Sequence, residues 1–147
     1  LVSVKFSDTV TSIGDYAFFI TSIAELAFGE GVTTIGEHAF QSCLKLTSVE
    51  LPNVENIGSY AFNNCTSLTE ITISDSVTNI GGSAFNNCTA LTTVYYEGSE
   101  AQWNAITIGS SNTPLTGATR LYYSETEPAS NAANYWHYVD GKPTAWA

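Results

Sequence analysis

The sequence predicts a repeat solenoid: short coils stacked along one axis, with a parallel β-sheet on one face and short 3₁₀ or helical turns opposite. Three observations predict it. An Ile-Gly pair recurs at Ile13-Gly14, Ile35-Gly36, Ile57-Gly58 and Ile80-Gly81, at spacings of 22, 22 and 23 residues. Each pair has a Val ahead of it and Ala-Phe behind it, followed in three copies by Cys43, Cys65 or Cys88. Each copy also opens with a spaced apolar phrase, such as Leu46, Val49 and Leu51. A period of this length marks units that cannot bury an apolar face alone and must stack on their neighbours.

Each element follows from its residues. Four complete copies start at residues 1, 23, 46 and 68, and a fifth opens at 91 and then leaves the pattern. The opening phrase alternates as a strand does, with Val49 and Leu51 inward and Ser48 and Glu50 outward. Stacked coils set these strands side by side, about 4.8 Å apart. The Val-x-x-Ile segment is expected to form a second extended stretch. The Gly after Ile is expected to supply a turn conformation costly to other residues. Gly-x-x-Ala-Phe is then expected to turn the chain and send Phe into the interior. Copies 1 and 3 are a residue short, after Phe18 and at Pro52-Asn53, which marks those places as turns.

A period near 23 with this opening is the sequence mark of a leucine-rich repeat. The stretch "LTEITISDSVTNIGGSAFNNCTA" resembles the repeat of the BspA-type bacterial leucine-rich repeat family, which carries the same Val-x-x-Ile-Gly segment and Ala-Phe-x-x-Cys ending. The resemblance covers residues 1–96 and, less specifically, the tail. It implies a right-handed leucine-rich-repeat coil, an extracellular or cell-surface location in bacteria, and a role in adhesion. No signal peptide stands in this chain. It begins in mid-pattern, so further repeats or a cap are expected before Leu1, and an uncapped first coil invites end-to-end self-association.

Residues 97–123 are expected to cap the last coil. Ser99 stands at an N-cap position with Gln102 at the capping-box position, which would lay Trp103 and Ile106 over the core; "TRLYYS" reads as a closing strand. Residues 124–147 read as a polar linker followed by an aromatic hairpin turning at Asp140-Gly141. Its Tyr135, Trp136, Tyr138 and Trp146 form either a lid on the solenoid or an exposed platform for carbohydrate. His137 reads as a strand residue and His38 as an exposed one.

The three Cys form either a buried ladder of free thiols or, in part, a disulfide. Asn64-Cys65-Thr66 and Asn87-Cys88-Thr89 match glycosylation sequons, although both fall on the turn phrase, where Asn serves structure. Fourteen acidic against four basic residues, a net charge of −10, disfavour nucleic acid and anionic membranes as partners. No residue constellation points to catalysis, a metal or a cofactor, and no run is long and apolar enough for membrane insertion. The expected function is non-enzymatic binding of a host or matrix protein through the outward sheet positions Glu25, Glu50, Glu70, Thr72 and Tyr95, with Glu97 at the edge. The alternative is carbohydrate or cell-wall attachment through the aromatic tail.

Overall fold

A computed structural model of the chain describes residues 2–147, so the place of Leu1 in the first coil lies outside the described residues. The opening phrases form β1 (Ser3–Lys5), β3 (Glu25–Ala27), β5 (Ser48–Leu51), β7 (Glu70–Ile73) and β9 (Thr93–Tyr96). The Val-x-x-Ile segments form β2 (Ser12–Ile13), β4 (Thr34–Ile35), β6 (Asn56–Ile57) and β8 (Asn79–Ile80). The second set builds one continuous parallel sheet, extended by β10 (Thr107–Ile108). Its register steps are 22, 22 and 23 residues from β2 to β8, whereas β5 to β7 is 22 and β7 to β9 is 23. The shorter steps fall where the sequence places the missing residues.

The first sheet is interrupted. β1 pairs only with β3, and β5 begins a separate six-stranded sheet. The two pieces lie side by side without strand pairing between β3 and β5.

The third face of each coil is a string of separate turns closed by i→i+3 bonds, as at Ala39 N to Gly36 O, Gln41 N to His38 O and Cys43 N to Phe40 O. Intervening amides bond to the next coil: Phe18 N donates to Ala39 O, Phe40 N to Ala61 O and Phe62 N to Ala84 O. Two residues per turn string are left-handed, including Tyr16, His38 and Tyr60 at φ 56–59° and Asn64 and Asn87 at φ 59–60°.

The repeat glycines therefore have a different task from the one expected of them. Gly141 is the one glycine with positive φ among the described residues. The Ile-Gly glycines are required instead by close approach of the coils. A Cβ on Gly58 would lie 2.6 Å from the carbonyl carbon of Gly36, and one on Gly81 would collide with the backbone amide of Ser59.

Inside, Phe18, Phe40, Phe62 and Phe85 stack face to face with centroids 5.3–5.4 Å apart. Cys43, Cys65 and Cys88 are buried free thiols. Each donates its S–H to a Phe carbonyl of the coil before, Cys88 to Phe62 O at 3.1 Å.

The C-terminal end carries the expected helix, α1 (Glu100–Asn104). Ser99 caps it, with both capping-box bonds formed, and Trp103 packs edge-on against Tyr96 at 5.2 Å. Arg120 stacks over the Trp103 ring at 4.5 Å. A second short helix, α2 (Thr113–Thr116), follows Asn112, whose buried side chain ends the turn-face ladder. Its Oδ1 accepts from Phe85 N at 2.9 Å, the bond a further coil's carbonyl would otherwise supply. Its Nδ2 donates to Gly81 O and Gly109 O.

The strand from "TRLYYS", β11 (Thr119–Tyr123), pairs with β9 but does not close the sheet. After a 3₁₀ turn at Ala132–Asn134, β12 (Tyr135–Val139) joins it in parallel, and β13 (Lys142–Ala145) folds back antiparallel. Asp140 and Gly141 both have positive φ, at 51° and 75°, as the expected two-residue turn requires.

Candidate functional site

Outward positions along the interrupted sheet fall into two halves. Toward the N-terminus, Ser3, Lys5, Glu25, Ala27, Ser48 and Glu50 are exposed. Toward the C-terminus, Glu70, Thr93, Tyr95 and Glu97 are half-buried, and Thr72 and Leu121 are buried. The aromatic tail covers Tyr95 and Glu97. Register pairs Leu121 with Tyr95 and Tyr123 with Trp136, so these side chains continue the same outward row. The Trp136 indole is fully buried; its Nε1 donates to Tyr96 O at 2.8 Å, and its ring meets Tyr95, Tyr123 and Tyr138 edge-on at 4.9–5.4 Å.

The two expected binding surfaces are thus one surface. The tail extends the sheet edgewise, and its side chains reach back over the outward face through the Tyr95–Trp136 contact and through Tyr138, whose hydroxyl donates to Glu97 Oε1 at 3.0 Å. The expected aromatic platform does not assemble. Trp136 offers no open face, because an indole in an otherwise polar surface is most stable with its ring covered and its N–H bonded. Trp146 turns away to stack on His137 at 3.7 Å and to donate its Nε1 to Ser124 O. Tyr135 is half-buried beside Tyr122, and only Tyr138 is substantially exposed, at 41%. Thr72, 4% exposed, has no reach to a ligand. Glu25 stands apart on β3, beyond the break in the sheet. His38 is half-buried, its ring stacked between Tyr16 and Tyr60 at 4.5 and 4.7 Å.

Three clefts open along this face. One of about 230 Å³ lies among Asp75, Glu97, Tyr123 and Tyr138. Another of about 340 Å³ adjoins it, lined by Glu97, Glu100, Gln102 and Tyr122, Tyr123 and Tyr135 among others. The third, of about 370 Å³, occupies the sheet interruption between Leu26, Phe28, Glu30, Glu50 and Pro52. Each contains carboxylates, and no Lys or Arg lines any of them.

The electrostatics follow. Partial desolvation of its carboxyl raises Glu50 above the ordinary range although the residue as a whole is exposed, and the Glu70 charge adds to the rise. Burial likewise raises Glu97; the Tyr138 bond opposes this, and the charges of Asp75, Glu50 and Glu30 reinforce it. Tyr95 is raised by burial and by Glu70, and Tyr138 by burial and by Glu97. These are acids crowding acids, a field that favours an incoming cation. No group of three or more His, Cys, Asp or Glu among the described residues is arranged to hold a metal ion. Among the described residues, no helix is long and apolar enough to cross a membrane.

Sequence reasoning missed Asp75, Glu30, Leu121 and Tyr123. A signal for the acids was present: Asp8, Glu30 and Asp75 each stand two residues after the last apolar residue of their coil's opening phrase, Phe6, Phe28 and Ile73. The signal for Leu121 and Tyr123 was their alternation within "TRLYYS".

The model of the BspA type leucine rich repeat region matches residues 1–111 in six copies. Among solved structures, a leucine rich cell surface protein from Faecalibacterium prausnitzii A2-165 is 41% identical over 73% of this chain and 29% of its own, with a TM-score of 0.68. A leucine-rich repeat protein from Bacteroides ovatus ATCC 8483 is 29% identical over 83% of this chain and 30% of its own, with a TM-score of 0.66. The chain therefore spans less than a third of either. The T. pallidum leucine rich repeat protein, 21% identical over 74% of this chain and 69% of its own with a TM-score of 0.55, shares the fold. No curated protein matches.

Proposed function

The chain belongs to the BspA-type leucine-rich-repeat family, and on that premise we propose that it is a non-enzymatic, cell-surface protein-interaction module that binds a basic partner through its sheet face. One observation carries this reading. Glu50, Glu70, Asp75 and Glu97 share a face with Tyr95, Tyr123 and Tyr138, and no basic side chain of the chain enters the clefts between them. Leucine-rich repeats serve widely as scaffolds for protein recognition, their solenoid curvature making extended binding surfaces. The partner is a host or matrix protein, and the role adhesion. Residues 1–96 supply the repeats, 97–123 the cap, and 124–147 the aromatic cover that completes the face. End-to-end association through the first coil accompanies this reading where no other coil covers it.

Aromatic anchors concentrate interface energy, so Tyr95→Ala is expected to raise the off-rate of the partner. Rim carboxylates set association rate and its salt sensitivity, so Glu50→Gln with Glu70→Gln is expected to lower the on-rate and flatten its dependence on ionic strength. The test is capture from host-cell and matrix extracts, followed by surface plasmon resonance of the captured protein across a salt series. Binding indifferent to salt and to all three substitutions would reject the sheet face. Deleting residues 124–147 would strip Trp136 from the face itself, so point substitutions are the cleaner probe.

A further inference from the structure

The cleft bounded by Asp75, Glu97, Tyr123 and Tyr138 has the size and chemistry of a receptor for one side chain. At about 230 Å³ it is smaller than the roughly 300–1,000 Å³ of a small-molecule site. Its walls are two tyrosine rings 6.3 Å apart and tilted by 53°. The Glu97 carboxylate is held in place by the Tyr138 hydroxyl at 3.0 Å. Asp75 faces the same space. The chain's one arginine, Arg120, is already committed to Trp103 and to the Tyr122 hydroxyl, and it does not line the cleft.

We propose that this cleft is an arginine-specific pocket, which seats one arginine side chain of the partner with its guanidinium against the Tyr123 and Tyr138 rings that line it and its N–H groups on Glu97 and Asp75. The inference rests on the sheet-face reading and names what that face recognises. Arginine is favoured over lysine by physical chemistry. A guanidinium is planar, stacks on aromatic faces and forks onto carboxylates, whereas an ammonium is a compact and strongly hydrated point charge. The burial that raises the Glu97 carboxyl strengthens a charge-assisted bond to it once a cation enters. Arg120 over Trp103 is the same pairing made within the chain.

The test uses the full chain and three blocked tripeptides, acetyl-Gly-Arg-Gly-amide and its Lys and Gln counterparts, titrated at low salt while the tyrosine ring signals are followed by NMR. The arginine peptide is expected to shift the Tyr123 and Tyr138 signals and to bind severalfold more tightly than the lysine peptide, with no saturable shift from the glutamine peptide. Glu97→Gln and Asp75→Asn are each expected to weaken arginine binding by about tenfold, the loss of one charge-assisted bond. Tyr138→Phe, which keeps the ring and frees Glu97, retains binding, while Tyr138→Ala loses it; circular dichroism of each variant confirms that the fold is kept. Equal binding of Arg and Gln peptides, or arginine shifts unaffected by Glu97→Gln and Asp75→Asn, would overturn the assignment. If the captured partner depends on Tyr95 and the Glu50–Glu70 pair while the arginine peptide leaves Tyr123 and Tyr138 unmoved, the pocket falls and the sheet face stands. If the peptide binds as described but the partner ignores the face, the pocket stands alone.

Discussion

Gly58→Ala separates the two tasks a repeat glycine can have. The added Cβ would stand 2.6 Å from Gly36 C, 2.7 Å from Glu37 N and 2.8 Å from Gly36 O, all backbone atoms of the preceding coil. Restoring an ordinary contact of 3.4 Å requires the coils to part there by about 0.8 Å. Two inter-coil bonds flank the site, Gly58 N to Ile35 O at 2.8 Å and His38 N to Ser59 O at 3.0 Å, and that movement takes both past bonding length. Overpacking costs about 1–3 kcal/mol and each lost bond about 0.5–1.5, so the substitution should destabilise by about 2–6 kcal/mol. Gly14 is the internal control. It has the same place in the repeat, no positive φ and nothing within 4 Å of an added Cβ, because no coil among the described residues precedes it. Gly14→Ala should be neutral or stabilising by up to about 1 kcal/mol, through the entropy of the unfolded chain. Urea unfolding followed by far-ultraviolet circular dichroism measures both. Equal losses at the two positions would refute close approach and return the glycine to a conformational role.

Three further outcomes are expected. Asn112→Ala leaves Phe85 N–H and Gly109 C=O without their partners in a buried setting, so it should cost about 2–4 kcal/mol in the same urea assay; a loss below about 0.5 kcal/mol would mean that the ladder ends otherwise. Glu50 and Glu97 have folded pKa values above the ordinary carboxylate value of about 4.3, so the folded chain holds these protons more tightly than the unfolded one. Their ionisation therefore costs stability as pH rises through the raised values, and the melting temperature should climb as pH is lowered from neutral toward the ordinary carboxylate range, with a shallower climb in Glu97→Gln; a flat or falling curve would contradict the crowding of these acids. Burial pushes the Cys88 thiol up to about 12 and Cys65 higher still, so native-state labelling by a thiol reagent should be slow at both and become complete only on unfolding, which intact mass spectrometry reads directly.

The parts of this molecule that could be read from its letters are those held by local rules. Alternation placed Val49 and Leu51 inside, the capping box placed α1 at Ser99, and Asp-Gly placed the hairpin turn. The glycine was misassigned because a turn and a close approach ask for the same residue, and only the neighbouring coil distinguishes them. The left-handed backbone falls instead on Tyr16, His38 and Tyr60, which propensity would not choose. There the inter-coil ladder and the ring stack offset the cost. The site was half legible. Glu50, Glu70, Tyr95 and Glu97 follow from outward register, but the tail's place over them depends on Trp136 reaching Tyr96 O across 40 residues, a contact no local pattern records.

The break between β3 and β5 gives this rod a mechanical character. Coils two and three remain fastened along the β4–β6 pairing and along the turn face, where Phe40 N meets Ala61 O, but not along the sheet. A stack fastened on two sides and slit on the third resists stretching and twisting there less than elsewhere, and it bends most easily by widening the slit. Load applied along the axis is thus concentrated at a single joint.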